Sequence, residues 1–244
     1  NTTILVSVPN PIPKQISNKL KIVFKNGFIL NHDFEVQISK PYVSGMVCEF
    51  ANDGSVATIK GDFFYTPLTV TFAGGVTGTI VSVTDQLIQV QVPAGAQPGQ
   101  VTVKTNFGET KSDFWFRDSR GHFIDSDPYE GWWNSGYVIS NPGAGDPPSI
   151  SGNELAGGPA SAMPVNRKNI PDAAILKPED YYLKFEVNTI KPYNGNVLKI
   201  NVALSAEDNN GYKWIPPYDT KGQWQTVVIP LTEVFAQYTP KPAV

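Results

Sequence analysis

Apolar and polar residues alternate along most of this chain. TILVSVP (3–9), KLKIVFKNG (19–27), ATIKGDFF (57–64), LTVTFAG (68–74), LIQVQVP (87–93), QVTVKTNFG (100–108), YYLKFEVNT (181–189), VLKINVALS (197–205) and TVVIPL (226–231) all carry the pattern. A period of two places the apolar side chains of a segment on one face of an extended backbone. Gly, Pro, Asn and Asp bound nearly every segment and break regular structure there. The pattern predicts short antiparallel strands throughout, an all-β chain. Helical signal is confined to a single turn at KPEDYY (177–182), where a proline is followed by acidic residues suited to a helix start.

The strands repeat. Residues 3–36 overlay 85–116 as strand, Val-Pro, Pro-containing loop, strand, Asn/Gly turn and Asp-Phe, with Val8-Pro9 answering Val92-Pro93 and Asp33-Phe34 answering Asp113-Phe114. Residues 1–40 thus read as the C-terminal part of a unit that begins upstream, and 41–116 as a complete copy. The second copy carries I-x-G-x-x-F (Ile59 to Phe64), Val-Pro-x-Gly-x-x-x-Gly (Val92 to Gly99) and V-T-V-x-T-x-x-G (Val101 to Gly108). It resembles the IPT/TIG immunoglobulin-like domain. That resemblance implies a β-sandwich acting as a rigid spacer or interaction module, and no chemistry. From residue 117 to 244 the loops lengthen and become rich in Asn, Gly and Pro while alternating strands persist, so the third unit also reads as a β-sandwich.

Composition narrows the partners. Charged residues make up 17% of 244 and the net charge is -3, which leaves no basic footprint for nucleic acid or an anionic membrane surface. No apolar run approaches the roughly 18 to 20 residues needed to span a bilayer. The opening NTTILVSVP lacks the features of an export signal, so any signal is expected to have been removed or to lie upstream, and a lipid anchor is expected upstream. A single cysteine, Cys48, excludes an internal disulfide and reads as a buried strand thiol.

Two stretches place aromatics among turn residues. NNGYKWIPPYDT (209–220) holds Tyr212, Trp214 and Tyr218, and YEGWWNSGYV (129–138) holds Tyr129, Trp132, Trp133 and Tyr137. An exposed aromatic ring can cover the C–H face of a pyranose while nearby Asn, Asp or Lys groups bond its hydroxyls. Such stacking buries apolar area at about 25 cal/mol per Å² with little loss of side-chain entropy. Trp214, between Lys213 and Ile215-Pro216-Pro217, is read as an exposed platform, and Trp224 as core or sheet-face packing. Trp132 and Trp133 are adjacent, so on a strand they face opposite ways and one of them faces solvent or a groove. The expected sugar-binding set is Trp214, Tyr212, Tyr218, Lys213, Asp219, Trp132, Trp133, Asn134 and Tyr137.

Carboxylates give a rival reading. A glycosidase needs two acids about 5 to 9.5 Å apart, and Asp125, Asp127, Glu130, Asp208 and Asp219 are candidates. Asp125 and Asp127, at alternate positions, could instead hold a structural Ca²⁺. No other metal or cofactor is expected. The two histidines, His32 and His122, and the absence of a G-x-S-x-G elbow give no support to a nucleophilic triad.

At the scale of the whole chain, the F-R-D-x-R-G linker (Phe116 to Gly121), the acidic segment after it and T-K-G-x-W-Q-T-V-x-I-P-L (Thr220 to Leu231) carry a further resemblance. Tandem TIG-like units followed by these motifs resemble the surface glycan-binding proteins of Bacteroidetes-type polysaccharide-utilisation systems. The resemblance implies an outer-membrane lipoprotein at the cell surface, with a C-terminal carbohydrate-binding β-sandwich of jelly-roll type. It also implies capture of polysaccharide beside an outer-membrane importer without cleavage; as ligand, a β-linked glucan, plain or substituted, is expected ahead of mannan or xylan. The family's sandwich has further strands after the point where TEVFAQYTPKPAV ends, which implies a unit cut short. An adhesive protein using the same aromatics on a protein partner is the competing class.

Overall fold

A computed structural model describes residues 17–35, 37–122, 127, 138–156, 170–190, 195, 197–200, 211–215 and 219–238. Strands β1 (Lys19–Val23) and β2 (Ile29–Asp33) form a hairpin that, among the described residues, pairs with no other strand. The next eight strands are β3 (Tyr42–Met46), β4 (Val56–Asp62), β5 (Leu68–Ala73), β6 (Val76–Thr77), β7 (Thr79–Val83), β8 (Leu87–Gln91), β9 (Gln97–Thr105) and β10 (Gly108–Phe116). They build two antiparallel sheets, ordered β3-β4-β8-β7 and β10-β9-β5-β6. Alternation sends Ile59, Val70, Phe72, Ile88, Val90, Val101, Val103 and Phe116 into the space between the sheets, where all are fully buried. Phe72 and Phe116, on strands that flank β9 in the same sheet, meet edge to face in that space, centroids 5.0 Å apart.

The sequence motifs of this sandwich have physical causes. In I-x-G-x-x-F, a side chain on Gly61 would run into the Tyr42 carbonyl oxygen and the Phe64 ring, so only glycine lets β3 and the buried Phe64 close on β4. In the loop after Val92-Pro93, Gly95 turns at φ +83°, a left-handed conformation that glycine adopts without steric cost.

The F-R-D-x-R-G linker is a locked elbow. Arg117 turns at φ +52° and its guanidinium donates to the carbonyls of Ala51 (2.8 Å) and Ala96 (3.1 Å) and to Asp53 Oδ1 (2.7 Å). Arg120 pairs with Asp118 through two bonds of 2.8 and 3.0 Å and lies 3.4 Å over the Trp115 ring. These residues hold the chain as it leaves the sandwich.

Beyond the elbow come β11 (Val138–Ile139), β12 (Glu154–Leu155), helix α1 (Asp172–Leu176), a 3₁₀ turn (Pro178–Asp180), β13 (Tyr182–Val187), β14 (Leu198–Ile200), β15 (Tyr212–Trp214), β16 (Gln225–Pro230) and helix α2 (Leu231–Ala236). Antiparallel ladders join β11 to β12, β13 to β16 and β14 to β15. Their core holds Trp214, Val227, Ile229, Leu231, Val234 and Phe235, with Leu183, Phe185, Leu198 and Ile200 packed around it. The all-β expectation holds, and the helical turn expected at 177–182 is the 3₁₀ turn. Helix α2 departs from the expectation of strands alone. Leu231, Val234, Phe235 and Tyr238, spaced i, i+3, i+4 and i+7, are the signal that marks it. Cys48 lies just past the end of β3, half-buried, rather than within a strand.

Candidate functional site

The stretch 211–215 is not the exposed platform that its turn-rich surroundings suggest. Tyr212-Lys213-Trp214 forms β15, paired so that Trp214 stands opposite Leu198 and Tyr212 opposite Ile200. Alternation then sends Tyr212 and Trp214 inward together. Trp214 is 8% exposed and packs edge to face on Phe185. Its expected place as an exposed stacking ring is therefore corrected: a strand of three residues, hidden between Gly/Asn and Pro-Pro signals, buries it. Tyr212 is half-buried and its hydroxyl donates to Glu233 on α2, which with burial pushes the phenol up to about 12.

Outward positions on this ladder carry different chemistry. Lys213 is exposed and stands directly across from Lys199. Beyond them on the same face lie Val197 and Ile215, the latter 62% exposed. Long aliphatic stems ending in ammonium groups, beside bare aliphatic side chains, make a surface that can offer both apolar contact and hydrogen-bond donors.

Asp219 closes a turn. Its Oδ1 accepts from the Thr189 hydroxyl (3.0 Å) and the Lys221 N–H (2.9 Å). Thr189 and Thr220 each donate a backbone N–H to the other's hydroxyl oxygen, at 2.6 and 2.8 Å. This buried knot ties the end of β13 to the segment before β16. Trp224 is half-buried just before β16, and its indole N–H donates to the Pro148 carbonyl at 2.8 Å, tying loop 140–153 to this end of the strand. Trp132, Trp133, Asn134, Tyr137 and Tyr218 lie outside the described residues.

The carboxylates are dispersed in role. Asp127 accepts the Asn153 N–H at 2.7 Å and lies against Gly152, while Asp125, Glu130 and Asp208 fall outside the described residues. No group of three or more His, Cys, Asp and Glu placed to hold a metal occurs among the described residues. Sequence reasoning missed three acids. Glu154 on β12 is buried with Oε1 unpartnered, and burial, then Asp146, pushes its carboxyl up. Glu49 is 3% exposed, and burial pushes its carboxyl up while Lys184 draws it down. Glu186 is raised chiefly by burial. Single acids within apolar alternation leave little sequence signal.

Residues 41–116 match the IPT/TIG domain, and residues 116–242 match the surface glycan-binding protein B xyloglucan-binding domain. Among curated proteins none matches the chain. Among solved structures, the chain resembles surface glycan-binding protein B from Prevotella bryantii at 20% identity and TM-score 0.59, covering 93% of this chain and 71% of that one. It resembles a surface glycan-binding protein B from a complex xyloglucan utilization locus in Bacteroides uniformis at 15% identity and TM-score 0.50, covering 91% and 69%. A structure holding a xylogluco-oligosaccharide aligns at 17% identity and TM-score 0.52, covering 92% of this chain and 55% of that one. At these identities the likeness is one of fold. The family match at 116–242 spans just over half of the residues, and the chain belongs to the surface glycan-binding protein B family, with an IPT/TIG domain before its xyloglucan-binding domain.

Proposed function

We propose that the protein captures polysaccharide at the cell surface, on the outer face of an outer membrane, and hands it intact to a glycan importer. The match of 116–242 to a xyloglucan-binding domain carries this reading and makes a substituted β-glucan the ligand class. Part of the outward face of β13 and β16 is engaged by the IPT/TIG unit through Lys184 and Thr226. Binding is therefore assigned away from that seam, with exposed Lys213 on β15 and Ile215 just after it as its described part, and the aromatic residues of 129–137 and 216–218 as its stacking groups. Pyranose faces would stack on Trp132 or Trp133, Tyr137 and Tyr218, with Lys213 and Asn134 bonding hydroxyls. Several modest contacts along a polymer sum through multivalency.

Calorimetric titration with xyloglucan, mixed-linkage β-glucan, mannan and xylan tests this, alongside assay of reducing ends. Binding to xyloglucan that falls in Trp132→Ala, Trp133→Ala or Tyr218→Ala, with the polymer intact, supports the reading. Binding to none of the polymers overturns it, and new reducing ends overturn its non-catalytic part.

A further inference from the structure

The junction between the two domains is built as an interface. The segment after β3 lies against β16: Thr226 N–H donates to the Val47 carbonyl at 2.8 Å, and Glu49 N–H donates to the Thr226 hydroxyl oxygen at 2.8 Å. Inside this seam Lys184 on β13 donates to both carboxylate oxygens of Glu49, at 2.9 and 3.1 Å. The Thr226 hydroxyl donates to Glu186 Oε1 at 3.3 Å. Arg117 N–H donates to the Glu49 carbonyl at 2.8 Å, and farther along the seam Asn52 Nδ2 reaches the Ser149 carbonyl at 3.4 Å. The polypeptide link is pinned as well, by Arg117 on Ala51, Asp53 and Ala96.

We infer that the IPT/TIG domain and the C-terminal domain are one rigid body, with Glu49 as the positioning residue that fixes the angle at which the C-terminal domain is presented. A hinged spacer would leave its junction hydrated and its linker free of specific bonds. Here a carboxylate is withdrawn from water, which is costly unless an opposite charge meets it with good geometry, and Lys184 supplies that charge from the other domain. Separating the domains would strip Glu49 of its ammonium and Val47 of its N–H donor. The penalty for a partly opened seam disfavours intermediate angles. The inference concerns the geometry of the two units and stands whatever ligand the C-terminal domain takes.

The test is a distance measurement across the seam in the full chain. Spin labels at Val81→Cys and Leu176→Cys, two exposed positions on different domains, are read in a Cys48→Ser background. One narrow distance is expected. Lys184→Met should lose it, whereas Lys184→Arg, able to fork onto the same carboxylate, should keep it. A broad distribution in the background protein overturns the inference. A narrow distance that survives Lys184→Met overturns the assignment to Glu49. Near-ultraviolet circular dichroism identifies any variant that fails to fold, and the background protein decides rigidity by itself.

Discussion

The indole of Trp214 meets the ring of Phe185 edge to face, with centroids 5.3 Å apart and planes at 87°. This pair ties the β14–β15 ladder to the β13–β16 ladder through the middle of the C-terminal core. Trp214→Ala should therefore unfold the domain rather than strip a binding surface. Truncating a buried Trp costs about 3–5 kcal/mol, and the edge-to-face pair adds about 0.5–1.5 kcal/mol. Thermal melting with near-ultraviolet circular dichroism checks it: a large fall in the melting temperature is expected, with Trp214→Phe much milder. A Trp214→Ala variant as stable as the parent would show that the ring is not in the core.

What is legible in the sequence follows from which physics acts locally. Strand periodicity is local, so the alternation around Ile59, Val70, Ile88 and Val103 declares both element and core face. Gly61 and Gly95 are local too, since backbone geometry dictates them. Trp214 misleads because Asn, Gly and Pro around it also signal a surface loop, and only the cross-strand partners Leu198 and Ile200 show which way its side chain turns. Glu49 is hidden for a different reason. Its ammonium partner lies far away at residue 184, and no sequence pattern joins positions so distant. Arg117 and Arg120 stand out as a motif, but their role as an elbow depends on the carbonyls of Ala51 and Ala96 for the first and on Asp118 and the Trp115 ring for the second.

Asn188 leaves both polar atoms of its amide buried without partners. It follows β13, and continued alternation places it on the face that carries Lys184 and Glu186. An unsatisfied buried amide costs more than an apolar group of the same shape. Asn188→Leu should accordingly stabilise the protein, by about 1–2 kcal/mol. Equilibrium denaturation in urea measures this directly. A lowered midpoint with unchanged slope would mean that the amide is satisfied by water held in the seam.

The seam also sets a pH dependence. Burial pushes the carboxyls of Glu49 and Glu186 above the ordinary value of 4.5. Lys184 draws both back down, and each carboxyl is raised further by a neighbouring acid: Asp118 acts on Glu49, and Glu49 acts on Glu186. Lys60 also faces Glu49 and lowers it. A carboxyl raised in the folded state holds its proton to higher pH than in the unfolded chain. Its stabilising contribution is complete below 4.5 and is lost as pH rises through the raised value. Stability should therefore fall from pH 4.5 upward across the weakly acidic range, in the part of the profile these two groups control. Glu186→Gln should flatten that slope while leaving the Lys184–Glu49 pair in place. Urea midpoints at a series of pH values decide it, and an identical slope in the variant would remove Glu186 from the account.

Tyr212 gives the most direct electrostatic readout of the C-terminal core. Its hydroxyl donates to the Glu233 carboxylate, a bond that exists only while the phenol keeps its proton. This bond first, then burial and the Glu233 charge, push the phenol from 10.0 up to about 12. The folded state thus resists ionisation that the unfolded chain undergoes near 10.0. The stabilisation is intact below that pH and disappears as pH rises through about 12. Ultraviolet titration of tyrosinate in the folded protein should show one phenol at the far alkaline end, missing in Tyr212→Phe. Glu233→Gln should move that phenol to lower pH, because a neutral amide does not repel the tyrosinate. The two variants separate the contributions: Tyr212→Phe removes the titrating group, and Glu233→Gln leaves it free of its charged acceptor. If Glu233→Gln left the late phenol where it was, burial rather than the carboxylate would be what holds its proton.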